Sequence, residues 1–126
     1  MKTAFLDPPR RFDPDGSGRF AMADVGRIEL AADEQVTFVA ASRSQYDVAR
    51  KSWGYYATPS LNARLPARGL RPALVRNAGG RYFVCLVEAA AEREFTDYLH
   101  ESDMRVLGWL DDVATLNRID VALQEA

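Results

Sequence analysis

The most regular hydrophobic pattern in the chain begins at Leu70. Leu70–Asn77, with Leu70, Leu74 and Val75, and Arg81–Glu88, with Tyr82, Phe83, Val84 and Val87, read as two β runs, and the short Ala78-Gly79-Gly80 segment joins them, which predicts a β-hairpin. In the second run Tyr82, Val84, Leu86 and Glu88 point one way and Phe83, Cys85 and Val87 the other. Both faces are largely apolar, so this strand is expected in the middle of a sheet. Ala89–His100 then changes to helical spacing, with Phe95, Tyr98 and Leu99 on one stripe and Glu92 and Glu94 near the N-terminus, where the helix dipole favours acids. Met104–Leu110 returns to alternation and ends at Asp111-Asp112. Val113–Gln124, carrying Leu116, Ile119, Val121 and Leu123, predicts a terminal helix.

Upstream of Leu70 the pattern is weaker. Val36, Phe38 and Val39 predict a strand over 35–40, with a shorter one over 27–30 before it. Ser44 and Asp47 suit a helix start, but Gly54 and the run Trp53-Gly54-Tyr55-Tyr56 interrupt any helical period, so 44–56 reads as an irregular connection. Thr58 before Pro59 resembles an N-cap followed by proline at the first helical position. Leu61 and Leu65 form an i, i+4 pair before Pro66 and Gly69 close a short helix. Asp-Pro-Pro, Asp-Pro-Asp-Gly and Ser-Gly crowd the start of the chain, predicting a flexible N-terminal arm over 1–24 ahead of a single α+β domain over 25–126. Strand, short helix, strand, strand, helix, strand is the order of a ferredoxin-like split βαβ sandwich with an antiparallel sheet, here followed by a C-terminal helix. Two short helices leave much of such a sheet uncovered, so a homodimer through a sheet face or strand edge is expected.

Composition fits this picture. The 126 residues are 48% hydrophobic and 27% charged, which suits one globular domain and disfavours disorder. No apolar run approaches the ~20 residues of a membrane helix, and the start has no signal-like apolar stretch, so a cytoplasmic location without membrane contact is expected. Cys85 is the only cysteine and His100 the only histidine, which excludes an internal disulfide and a Cys-rich metal site, and leaves little histidine chemistry. Cys85 reads as a buried structural thiol, His100 as a residue closing a helix, and Asp111-Asp112 as a helix cap. Asp13, Asp15, Ser17, Gly18, Phe20 and Asp24 have the spacing of an EF-hand loop. Pro8 and Pro9 occupy the place of the entering helix, and a short Asp stands where a bidentate Glu belongs. Neither a metal nor a cofactor is therefore expected.

Charge alters the picture most. Residues 1–41 carry five basic and seven acidic side chains; 42–81 carry eight basic ones against Asp47 alone; 82–126 carry three against ten. The basic and acidic blocks could cancel across the fold, or the basic block could form an anion site. Seven of its eight cations are arginine, whose planar fork suits phosphate and carboxylate. The densest group holds Arg50, Lys51, Trp53, Tyr55, Tyr56, Thr58, Ser60, Asn62 and Arg64 within fifteen positions. Its aromatics could simply fill core space. As a ligand loop, it would add the free N–H groups of a helix opening at Thr58-Pro59-Ser60 to the arginines.

The strings Ser52-Trp53-Gly54-Tyr55-Tyr56-Ala57-Thr58-Pro59-Ser60-Leu61-Asn62-Ala63-Arg64-Leu65, Ala73-Leu74-Val75-Arg76-Asn77, Gly80-Arg81-Tyr82-Phe83 and Gly108-Trp109-Leu110-Asp111 resemble a set of small bacterial proteins associated with gene neighbourhoods for cell-surface carbohydrate synthesis. The resemblance spans about residues 27–112 and transfers no catalytic residue. It implies a sugar or sugar-nucleotide context. Phosphate loops, paired catalytic carboxylates and nucleophile motifs are absent from the sequence. The expectation is thus a non-catalytic binding or accessory protein for an anionic small molecule such as a sugar nucleotide. The alternative is a small dimeric isomerase-like enzyme using Tyr55 or Tyr56 as acid and an arginine for the oxyanion. A pI near 5.4 and the acidic C-terminal third weigh against nucleic acid.

Overall fold

The computed structural model describes residues 1–125. It is a mixed α/β structure with three small antiparallel sheets and a few helices. The chain divides into two compact units, one of Met1–Val36 with Ala49–Tyr56, the other of Thr37–Val48 with Ala57 onward.

In the first unit, β1 (Lys2–Phe12) and β2 (Met22–Glu29) form a two-stranded antiparallel ribbon. The segment expected to be a flexible arm is thus largely strand. Pro8 and Pro9, which cannot donate to a ladder, fall inside the register shift between Phe5 and Arg10, so pairing resumes beyond them. Gly26 stands opposite Phe5 at φ +136°, and a Cβ there would lie 2.3 Å from the Ala4 carbonyl oxygen, a close approach only glycine permits.

β3 (Gln35–Val39), β4 (Gln45–Lys51) and β5 (Gly54–Ala57) form a second sheet in the order β3-β4-β5. The connection expected to be irregular over 44–56 is therefore a hairpin. Gly54, at φ +149°, serves its turn instead of interrupting a helix.

In the second unit, β6 (Leu70–Asn77) pairs with β7 (Tyr82–Glu88) on one side and with β8 (Met104–Trp109) on the other. The predicted hairpin is present, but β6 is central and β7 is an edge strand, correcting its expected place. β3 lies in a different sheet, so the four strands of a ferredoxin-like unit do not share one sheet. Ala73, Val75 and Val87 project from one face and are closed over by Leu99 of α2 (Glu92–Glu101), with Phe95 packed edge-on to Trp109 at 6.0 Å. α3 (Val113–Gln124) begins at an Asp112 cap, as expected, yet buries none of its residues. No helix among the described residues is long and apolar enough to cross a membrane.

The short helix before β6 differs most from expectation. α1 is only Arg64–Ala67, with Ala63 rather than Thr58 at its N-cap and no side-chain cap. Pro66 sits inside its first turn, where its missing N–H would have had no helical acceptor, so it starts the helix instead of ending it. Gly69, at φ +87°, follows the helix and turns the chain into β6.

Candidate functional site

The structure divides the aromatic and basic run between the two units. Arg50, Lys51, Trp53, Tyr55 and Tyr56 belong to the first; Thr58, Ser60, Asn62 and Arg64 belong to the second. In the first unit Arg50 donates to the carbonyls of Lys51 and Gly54 and lies over the Tyr55 ring at 5.4 Å, while Lys51 pairs with Asp33 at 2.5 Å. Trp53 is 69% exposed, and Tyr55 and Tyr56 are also exposed, so none of the three fills a core.

In the second unit the Ser60 hydroxyl accepts the Arg64 N–H at 2.9 Å, Asn62 is exposed, and the Thr58 hydroxyl is buried without a partner among the described residues. With α1 opening at Arg64 and only four residues long, the N–H cluster expected at Thr58-Pro59-Ser60 does not form. Arg64 instead reaches Asp47 at 3.4 Å, and Arg68 reaches the same carboxylate at 2.8 Å. Asp47 is buried and also accepts the Thr37 hydroxyl at 2.6 Å. The one acid of the basic block is therefore its internal clamp.

Other members of the block are also neutralised. Arg71 is held by Asp111 at 2.8 and 3.2 Å and by Glu92 at 2.7 Å, and stacks on Trp109 at 4.3 Å. These hydrogen bonds push its pKa still higher. A cleft of about 440 Å³ adjoins it, lined also by Asp112, Thr115 and Arg118. Its most enclosed cation is already satisfied. Elsewhere, burial pushes the Cys85 thiol up, and His100 is exposed in the last turn of α2.

A second cleft, of about 400 Å³, is differently equipped. Ser42, Arg43 and Ser44 from the β3–β4 turn line it with Arg68, Gly69 and Glu88. The hydroxyls of Ser42 and Ser44 both donate to Glu88 Oε1, at 2.6 and 2.9 Å, and hold this carboxyl below its usual range. Glu88 Oε2 is unengaged among the described residues. Arg43 closes the turn through its N–H to the Ala40 carbonyl at 2.9 Å, at φ +74°. That left-handed conformation suits glycine and costs an arginine about 1 kcal/mol or more. The Arg43 guanidinium has no carboxylate partner among the described residues. In the sequence Ser44 reads only as part of a helix start with Asp47; a non-glycine residue at a glycine position leaves no sequence signal, and Glu88 lies 46 residues from Ser42.

The acidic loop residues form no calcium cage. Asp13 accepts the Gly18 N–H at 2.5 Å, Asp15 accepts from Ser17, and Asp24 lies in β2 paired with Arg10. Strands flank the loop, and no cluster of metal-ligating side chains exists among the described residues.

No family model, curated protein or solved structure matches this chain.

Proposed function

We propose that this protein binds, without transforming, a small anion rich in hydroxyl groups, of the sugar phosphate or sugar nucleotide class, in the cleft of Ser42, Arg43, Ser44 and Glu88. The supporting observation is Arg43: a guanidinium with no carboxylate partner among the described residues, held in a costly backbone conformation at the edge of a cleft, where glycine would be easier to accommodate. Arginine offers paired donors to a phosphoryl group, while Glu88 Oε2, unengaged among the described residues, accepts from sugar hydroxyls, and the two serines, whose protons go to Glu88, can accept as well. The cleft volume lies within the usual range for small ligands. Glu88, stabilised as a carboxylate by two hydroxyls, is a weak proton acceptor at neutral pH, which favours binding over proton transfer.

Thermal shift with inorganic phosphate, a hexose 1-phosphate, a nucleoside diphosphate hexose and the neutral hexose tests the reading. The phosphorylated sugars should raise Tm, by the equivalent of about 2.7 kcal/mol at a hundredfold excess over Kd, and the neutral hexose should not. Arg43→Gly should abolish the response while changing the stability of the free protein by less than about 1 kcal/mol, because relief of the left-handed strain is offset by the freedom glycine gives the unfolded chain. Retention of the response in that variant, or an equal response to the neutral hexose, overturns the proposal.

A further inference from the structure

The face of the β7-β6-β8 sheet turned away from Leu99 ends in a row of unbalanced charge. Register sets Arg76 of β6 opposite Tyr82 of β7 on one side and opposite Arg105 of β8 on the other, so the three side chains share that face. Side chains directly opposite stand about 5 Å apart at Cβ, and like charges so placed repel. Neither arginine has a carboxylate partner among the described residues, in contrast to Arg64, Arg68 and Arg71; Asp103, two residues before Arg105, pairs with neither. The acid that these strands place on the same face, Glu88, lies roughly 20 Å along β7 and is held by Ser42 and Ser44. α3 lines a groove with Leu74 and Leu107 and contributes Arg118 to it, but no acid. The two guanidinia are also drawn apart. Arg76 leans toward β7, its guanidinium carbon 6.0 Å from the centre of the Tyr82 ring, whereas Arg105 rises from β8 on the far side of β6. Beside them Tyr82 and Val84 share the face and are both exposed.

We propose that this row binds a small dicarboxylate with a short apolar linker, one carboxylate on each guanidinium. Each planar fork takes one carboxylate through paired hydrogen bonds, so two forks held apart on neighbouring strands call for two carboxylates. A single carboxylate would satisfy one arginine and leave the other uncompensated, whereas a dianion removes the repulsion between them. Tyr82 and Val84 give the linker an apolar neighbour. None of these residues lines the cleft of Ser42, Arg43 and Ser44.

Isothermal titration of the full chain at low salt, with the linear dicarboxylates from butanedioate to heptanedioate and with butanoate as the single-headed control, supplies the test. One dicarboxylate should bind with a Kd of about 1 mM, at least tenfold more tightly than butanoate. Arg76→Gln and Arg105→Gln should each weaken that dicarboxylate to the level of butanoate, and Arg43→Gly should leave its binding unchanged. Arg105→Glu should abolish binding and raise the Tm of the free protein, because Arg76 gains an opposite charge across the strands. No binding of any dicarboxylate to the wild type, equal affinity for butanoate, inorganic phosphate bound more tightly than every dicarboxylate, binding retained in both glutamine variants, binding lost in Arg43→Gly, or a lower Tm in Arg105→Glu overturns the proposal.

Discussion

Replacing Asp47 by alanine should be among the most damaging single changes in the second unit. The carboxylate is buried, accepts the Thr37 hydroxyl at 2.6 Å and holds Arg68 at 2.8 Å and Arg64 at 3.4 Å. Breaking a buried ion pair costs about 3–5 kcal/mol when the remaining charge stays buried. Here the side chains left behind are 31% exposed for Arg68 and 53% for Arg64, so both regain water and the cost falls to about 3 kcal/mol. For a chain of this size that lowers Tm by roughly 10 °C or more. The partners should differ. Arg64→Ala, removing a long and exposed contact, should cost under about 1 kcal/mol, and Arg68→Ala about 1.5–3 kcal/mol. Urea unfolding followed by fluorescence reads all three, because Trp109 is half-buried in this unit while Trp53 is already exposed. An Asp47→Ala variant within about 0.5 kcal/mol of wild type, or equal losses for the two arginines, would refute the clamp.

Trp53→Ala should change stability by less than about 0.5 kcal/mol in urea unfolding, because the indole is exposed rather than packed. Asp15, Asp24, Glu34, Glu88 and Asp112 all have pKa values lowered by hydrogen bonds that favour their ionised forms. A lowered folded-state value means stability fully present above the unfolded value, about 4, and lost as pH falls through the folded value. Tm should thus be level above about pH 5.5 and fall below about pH 4, with a smaller fall over the latter range in Glu88→Gln. Millimolar calcium should leave Tm unchanged, since Asp24 is committed to Arg10; a rise abolished by Asp13→Ala would contradict this.

The parts of the fold legible in the sequence are those specified by neighbours along the chain. Leu70–Asn77 and Tyr82–Glu88 declare themselves as two apolar-rich runs around a glycine turn, and Asp112 caps Thr115 three residues on. The β4–β5 hairpin was obscured because its exposed aromatics suggest a packed connection and its turn glycine suggests a broken helix. β1 was obscured because Pro8 and Pro9 disqualify a continuous strand, while a register shift lets pairing skip them. The prominence of arginines as a charge block misled in another way. Composition counts cations but not their partners, and Arg50, Arg64, Arg68 and Arg71 find theirs in carbonyls, Asp47, Asp111 and Glu92. The cleft around Ser42, Arg43 and Glu88 was illegible because it depends on one unusual backbone conformation and on a contact spanning 46 residues.

The division of the chain into interleaved units has a consequence for synthesis. Thr37–Val48 belongs to the second unit, although it leaves the ribosome between two pieces of the first. Its partners come later: Asp47 must await Arg64 and Arg68, and Ser42 and Ser44 must await Glu88. Domains made first tend to fold first, so Met1–Tyr56 can complete the ribbon while this stretch still lacks its partners. A translational pause shortly after Tyr56 would thus hold Asp47 as an unpaired acid, whereas release beyond Glu88 lets the clamp and the cleft close together.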